Sequence, residues 1–222
     1  MRVIDLSQPL GPATTPWPGQ EPMIAHVEGT VERDGYYIRR LEIGEHYGTH
    51  FDAPSHFAAD GACVEGVPAE RLVVPARVVD VADRTVDDPD YALTADDVLA
   101  MEAEHGPLEP GDALVVRTGW DRHLGDPARY VGDMRFPGVG IDAAELAIER
   151  GVAGIAIDTL SIDRGVATDF VVHYRTLPAG LWQAEGLVGL ERLPARGATL
   201  VVGVPPVVGA SGFPARILAL VP

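Results

Sequence analysis

Short apolar runs rich in β-branched residues, each broken by glycine, proline or a charged cluster, recur along the chain and predict a sheet. Strands are expected at Val3–Leu6, Tyr36–Ile43, Ala76–Val81, Ala113–Arg117, Gly154–Ile157, Ala198–Val204 and Ile217–Val221. Helical spacing with end signals occurs twice. In TADDVLAMEAEHG, Thr94 can accept from first-turn amides and Gly106 can close the helix; in IDAAELAIERG, Asp142 is the expected cap and Gly151 the stop. The second helix runs directly into the apolar VAGIAID, an α-to-β step. Residues 11–22, GPATTPWPGQEP, carry too much proline for a central strand and read as an extended loop with Trp17 near its middle. The pattern as a whole predicts one mixed α/β domain over residues 1–222, with a β-rich core.

Composition narrows this picture. A chain of 222 residues, 46 % of them hydrophobic, can bury one substantial core, and its 25 glycines and 19 prolines form no linker or repeat. No apolar run approaches the roughly 20 residues that cross a bilayer. The start, MRVIDLSQPL, lacks the basic-then-apolar layout of a secretory signal, so a cytoplasmic protein without a membrane partner is expected. Acidic residues outnumber Lys and Arg by 33 to 17, a net charge of −16 that repels a phosphate backbone. Nucleic acid is therefore not an expected partner. Cys63 is the single cysteine, so any metal must be held by imidazole and carboxylate.

The stretch EHYGTHFDAPSHF, residues 45–57, holds three of the chain's seven histidines and an aspartate. His46, His50, Asp52 and His56 would share one face of a straight strand, but His46 and His50 would then stand roughly 13 Å apart, too far to share an ion. A helix would turn Asp52 away, and Pro54 would interrupt it. A bend near Gly48 followed by a short extended piece at Phe51 brings His46, His50 and Asp52 together. Two imidazoles and a carboxylate leave positions open for water, the layout of a catalytic ion. His56, beyond Pro54, is either a further ligand or an acid/base group. Farther along, His173 follows an apolar run and Glu185 is a lone acid in an otherwise uncharged stretch, where a carboxylate needs a cation or a hydrogen-bond donor. His26, His105 and His123 stand alone among polar residues and are expected at the surface.

The pattern His46-x-Gly48-Thr49-His50-x-Asp52-x-Pro54-x-His56 resembles the signature of the metal-dependent cyclase/hydrolase family that includes bacterial kynurenine formamidase and isatin hydrolase. Similarity extends to DLSQPL and TTPWPG near the start, PARVVDV, GDALVVRTGW, RGVAGIAIDTLSID, and the pair His173 and Glu185. The resemblance implies a small domain with a swivelling β/β/α arrangement that assembles as dimers or tetramers. It also implies that His46, His50 and Asp52 hold one divalent ion, zinc or alternatively manganese, with Asp52 reaching a second ion bound by His173 and Glu185. His56 would then move protons and Trp17 would line the pocket. The implied activity is hydrolysis of a small amide, arylformamidase-like, with ring closure as the alternative that the cyclase label suggests. Two positions depart from the family pattern: Gln20 where the formamidases commonly have Asp, and Leu160 where Pro is usual.

Two other classes compete. His50-x-Asp52 with distal His173 also matches the triad of non-haem iron oxygenases, but that reading leaves His46, His56 and Glu185 without a task. It also wants a basic residue after the distal histidine, and residues 180–187 hold none. A non-catalytic binding protein on the same fold is the second rival, opposed by the presence of all six chemical groups. In DTLSID, Asp158, Ser161 and Asp163 read as a strand end turning into a loop.

Overall fold

The computed structural model describes residues 1–222. In chain order its strands are β1 (Arg2–Asp5), β2 (Ile24–Gly29), β3 (Ile38–Glu42), β4 (His50–Asp52), β5 (Val73–Asp80), β6 (Ala92–Leu93), β7 (Ala113–Arg117), β8 (Gly138–Val139), β9 (Gly154–Ile157), β10 (Trp182–Glu185), β11 (Ala198–Gly203), β12 (Gly212–Pro214) and β13 (Arg216–Val221). The α-helices are α1 (Val31–Asp34), α2 (Ala95–His105), α3 (Pro127–Val131), α4 (Ile141–Glu149) and α5 (Val171–Thr176). Nine strands form one mixed sheet in the order β1-β13-β11-β5-β7-β9-β10-β4-β12. Its centre, β5 to β10, is parallel, and the flanking pairs are antiparallel.

Strand alternation divides the core into two layers. On β7 and β9, Ala113, Val115 and Ala156 face one layer, while Leu114, Val116, Ile155 and Ile157 face the other. The second layer is closed by α2 and α4 through Val98, Met101, Ala143, Ala144 and Ala147. In the first layer the small side chains make room for two large rings, Trp182 and Phe51, 5.9 Å apart between centroids. Their packing seats β10 against β4, and those two strands carry the chemistry described below.

The expected strands in the core sheet are present: Ala113–Arg117 and Gly154–Ile157 match at both ends, and the others have ends moved by at most three residues. Thr94 caps α2 through a reciprocal pair with Asp97, and Gly106 ends it. Three features differ. The predicted strand at 36–43 lies outside the main sheet: as β3 it pairs only with β2, and all five of its residues are exposed. Asp142 is not a cap, because the N-cap lies two residues earlier, at Gly140; its carboxylate instead accepts from the Ala95 amide, 2.9 Å away at the start of α2. Finally, β10 and β12 are too short to register as apolar runs, yet with β4, the short extended piece expected at Phe51, they form one end of the sheet.

Gly154 is the register partner of Trp182, and a Cβ placed there would stand 2.1 Å from the indole. Gly154→Ala is therefore expected to cost about 1–3 kcal/mol through forced displacement of the ring, read as a shift in the urea midpoint at unchanged slope.

Candidate metal centre

β4 is only three residues long, held between β10 and β12, with His50 opposite Glu185 and Asp52 opposite Gln183. His50 and Asp52 share a face with Glu185 because side chains alternate along a strand. The bend expected at Gly48 is there: its φ is 64°, and a Cβ would lie 2.7 Å from Leu10. Pro54 opens a single 3₁₀ turn that ends at His56 and folds its ring back onto His46, with centroids 3.8 Å apart. His173 comes from α5, whose start is preceded by Phe170 in the left-handed region at φ 48°.

All six predicted groups converge. His46 Nδ1 is 2.6 Å from Asp52 Oδ1, and His50 Nε2 is 3.3 Å from the same oxygen and 3.4 Å from Glu185 Oε2. His173 Nε2 lies 3.4 Å from Glu185 Oε1 and 3.8 Å from Asp52 Oδ2. His46 and His50 both approach Asp52 Oδ1, and two overlapping groups share that carboxylate. His46, Asp52 and His56 form one cluster and His50, Asp52 and Glu185 another, so His50 sides with Glu185, its partner across the β4–β10 ladder. Asp52 belongs to both. None of His26, His105 and His123 reaches this site.

Hydrogen bonds around the cluster say what it is built to hold. His50 Nδ1 donates to the Gly48 carbonyl at 3.0 Å, and His173 Nδ1 donates to Asp163 at 2.6 Å. Each ring therefore turns its other nitrogen, Nε2, toward carboxylate oxygens, which only accept. Asp52 is 1 % exposed and Glu185 4 %, and Asp52 Oδ2 has no hydrogen-bond partner. Two buried carboxylates facing imidazole lone pairs require positive charge between them. In the absence of an ion that charge comes from protons. Burial opposes charging His50, but Asp52 and Glu185 outweigh it and raise the ring to about 10. His173 is likewise raised despite burial, by Asp163, Asp52 and Glu185. Asp52 is held well below the usual carboxylate range by His50 and His46, against its own desolvation. A hard or borderline divalent cation satisfies the same oxygens and nitrogens, so the donor set fits a metal. His56 behaves differently: burial drives it down to about 4, which the Asp52 charge only partly offsets, leaving it neutral.

Above the cluster lies a cavity of about 220 Å³. Trp17 is on its wall, as expected, beside Phe57 and Phe170; Trp17 and Phe170 are 6.2 Å apart. Several contributors carried no sequence signal. Asp163, read as a loop residue, accepts from the Val172 and His173 amides as well as from the His173 ring, so one carboxylate fixes both α5 and its histidine. The Ile162 amide donates to Glu185 Oε1 at 2.7 Å. Asp158 keeps a structural role, accepting from Thr118 and the Gly119 amide.

The Cyclase family model matches residues 4–164, nearly three-quarters of the chain. The chain belongs to the Cyclase family. Among the relatives of this Cyclase member, isatin hydrolase of Roseibium aggregatum is 34 % identical over 194 residues, 82 % of this chain and 74 % of that protein. Kynurenine formamidase of Bacillus mycoides is 28 % identical over 186 residues, covering 83 % and 81 %. A crystal structure of an isatin hydrolase bound to the product analogue thioisatinate superposes with a TM-score of 0.95 at 31 % identity, covering 99 % of this chain and 92 % of the other. Isatin hydrolase A from Ralstonia solanacearum gives 0.93 at 32 %, covering 100 % and 92 %. The family model stops short of His173 and Glu185, but the structural matches span them. Both departures from the Cyclase pattern, Gln20 and Leu160, lie on the cavity wall.

Asp163→Asn keeps the size of the side chain but leaves one accepting oxygen where two now serve the His173 ring and the two amides. It is expected to weaken divalent-metal binding by about 10- to 100-fold while the far-UV spectrum stays unchanged, as measured by competition with a chromophoric chelator.

Proposed function

We propose that the protein is a hydrolase that opens the carbon–nitrogen bond of a small aromatic amide at a divalent-metal centre. The observation that carries this reading is the convergence of acceptor atoms around Asp52, with its unpartnered Oδ2, beneath an aromatic-walled cavity. The names of the relatives, isatin hydrolase and kynurenine formamidase, support the choice of amide, since isatin is a cyclic aryl amide and the other substrate is a formamide.

His46, His50, Asp52, His173 and Glu185 would hold the metal, with zinc as the proposed ion and manganese acceptable to the same donors. When bound, a divalent ion supplies Lewis acidity and lowers the pKa of a water at an open position. The remaining work falls to the chain itself. His56, neutral and stacked on His46, is placed to take a proton from the nucleophile and pass it to the departing nitrogen. Trp17, Phe57 and Phe170 present ring faces and edges to an aromatic substrate and exclude water from it. Beyond the histidines and Glu185 the lining is uncharged, with Thr15, Gln20 and Ser161 among its hydrogen-bonding groups beside Leu160. That wall suits a neutral ring system better than a charged side chain.

The oxygenase reading fares worse. His50, Asp52 and His173 do meet, but Glu185 stands among them as a fourth protein group, 3.4 Å from each histidine, leaving less of the open coordination that an oxygenase triad needs. Ring closure rests on a family label alone, and no geometric feature favours it over hydrolysis. The reading is tested by metal analysis of untagged protein followed by a panel of aryl formamides and lactams assayed without oxygen or reductant. Hydrolysis that follows the metal content is expected; turnover that requires oxygen and a reductant would sink the hydrolase assignment. His56→Ala should retain its metal and lose about 10²- to 10⁴-fold in kcat. Loss of the metal in that variant would make His56 a ligand instead.

We also propose a homo-oligomer, in the cytoplasm. The unpaired Cys63 suits a reducing compartment, and no helix is long and apolar enough to cross a membrane. The β2–β3 ribbon supports assembly. It exposes Val27 and Leu41 on one face, with Tyr36, Tyr37 and Ile38 also open to solvent at 47–59 %. A two-stranded ribbon of this kind is marginal by itself in water, and a second copy of the chain is the proposed cover. Light scattering should give at least twice the chain mass, and Val27→Glu with Leu41→Glu should reduce it to one chain. A wild-type protein that is monomeric at high micromolar concentration would refute the assembly.

A further inference from the structure

The nitrogen of His46 that points away from Asp52 is engaged by a residue 165 positions away. His46 Nε2 lies 3.0 Å from Ser211 Oγ, and Ser211 Oγ lies 2.7 Å from Glu45 Oε2, which also accepts from the Ser211 amide at 2.9 Å. The polarity of this chain is decided at its outer end. A carboxylate only accepts, so the serine hydroxyl gives its single proton to Glu45 and is left with lone pairs alone for the histidine. His46 must then donate from Nε2, which leaves Nδ1, 2.6 Å from Asp52 Oδ1, to share a metal ion or, without one, a second proton with that carboxylate.

The alternative arrangement would be self-sufficient. With its proton on Nδ1, His46 would simply donate to Asp52, and the two would satisfy one another with no ion between them. With the proton on Nε2, two acceptors face each other at a distance that only shared positive charge makes favourable. The seat has little slack: a Cβ on Gly212, the residue after Ser211, would stand 2.4 Å from His46 Cε1 and 2.6 Å from the Phe51 carbonyl oxygen. His46 therefore cannot be accommodated by a looser loop that lets its ring turn freely. Glu45, half-buried and next to His46 in sequence, reaches the same serine from the other side.

We propose that Ser211, oriented by Glu45, is a positioning residue that holds a proton on His46 Nε2 and so disfavours the neutral Nδ1-protonated tautomer that would satisfy Asp52 without an ion. The proposal rests on the metal-centre reading above, and it assigns work to two residues outside the donor set. Because Ser211 acts through His46 and never touches the substrate, its removal should change metal affinity and ring tautomer ahead of substrate recognition.

The test uses full-length protein stripped of metal, with Zn²⁺ alone as the probe. In wild type, ¹⁵N imidazole shifts should show a proton on His46 Nε2 whether or not Asp52 also shares one with Nδ1; in Ser211→Ala the Nε2 proton should be lost and Nδ1 alone should keep one. Zn²⁺ affinity, by chelator competition, should fall about 10- to 100-fold in Ser211→Ala, with melting of the metal-free protein unchanged. Ser211→Thr, which keeps the hydroxyl, should recover most of the loss. Glu45→Ala should weaken Zn²⁺ binding as well, since the freed hydroxyl can then donate to His46 Nε2. A folded Ser211→Ala protein with wild-type Zn²⁺ affinity would overturn the proposal, as would an unprotonated Nε2 in the wild type. Failure of wild type to bind any divalent ion would instead defeat the metal-centre reading, and the tautomer measurement would still decide the role of Ser211.

Discussion

Everything at the functional end of this fold depends on one electrostatic demand: two carboxylates, Asp52 and Glu185, are buried side by side and face nitrogen lone pairs. Such a group of atoms is unstable without positive charge in its midst. The surrounding structure is organised to keep that demand in place. The Gly48 carbonyl, Asp163 and Ser211 occupy the outer nitrogens of three histidines, so that the inner nitrogens remain pointed at the carboxylates. Replacing the cation by protons is the fallback that the raised His50 and His173 express.

The location of that demand follows from the sheet. The parallel centre supplies rigidity through two continuous apolar layers, while the chemistry sits on β10 and β4, between that centre and the outermost strand β12. The antiparallel pairing of β10 with β4 aligns Glu185 with His50 without any loop having to hold them. Loops add what a strand cannot: the 3₁₀ turn after Pro54 returns His56 over His46, and the proline-rich loop brings Trp17 to the cavity. Aromatic walls and an acceptor-rich floor are thus built by different parts of the chain and can vary separately. Gln20 and Leu160, on the wall, show where this chain has done so.

Much of this was legible in the sequence, and the boundary of what was legible is physical. Long apolar strands announce themselves because burial on both faces demands unbroken hydrophobicity, as in Ala113–Arg117 and Gly154–Ile157. The convergence of His46, His50, Asp52 and His56 was legible because they are close in sequence and the breakers Gly48 and Pro54 dictate local geometry. β10 was not, since a four-residue strand that carries Gln and Glu has no apolar pattern to display, and β4 was legible only as the short extended piece at Phe51 that the motif's breakers require. Asp163 and Ser211 were illegible for another reason. Their roles depend on where α5 and β12 arrive in space, and no spacing along the chain encodes that.

The three-residue length of β4 has a further consequence. Since side chains on a strand alternate, a slip of one residue against β10 would bury Phe51 where the donors belong and turn His50 and Asp52 to the opposite face. A misaligned sheet would thus be unable to retain an ion at all. On the proposed metal-centre reading, occupancy would report on this pairing: only a chain whose β4 and β10 have met in the correct frame could hold an ion and gain the stability that binding confers.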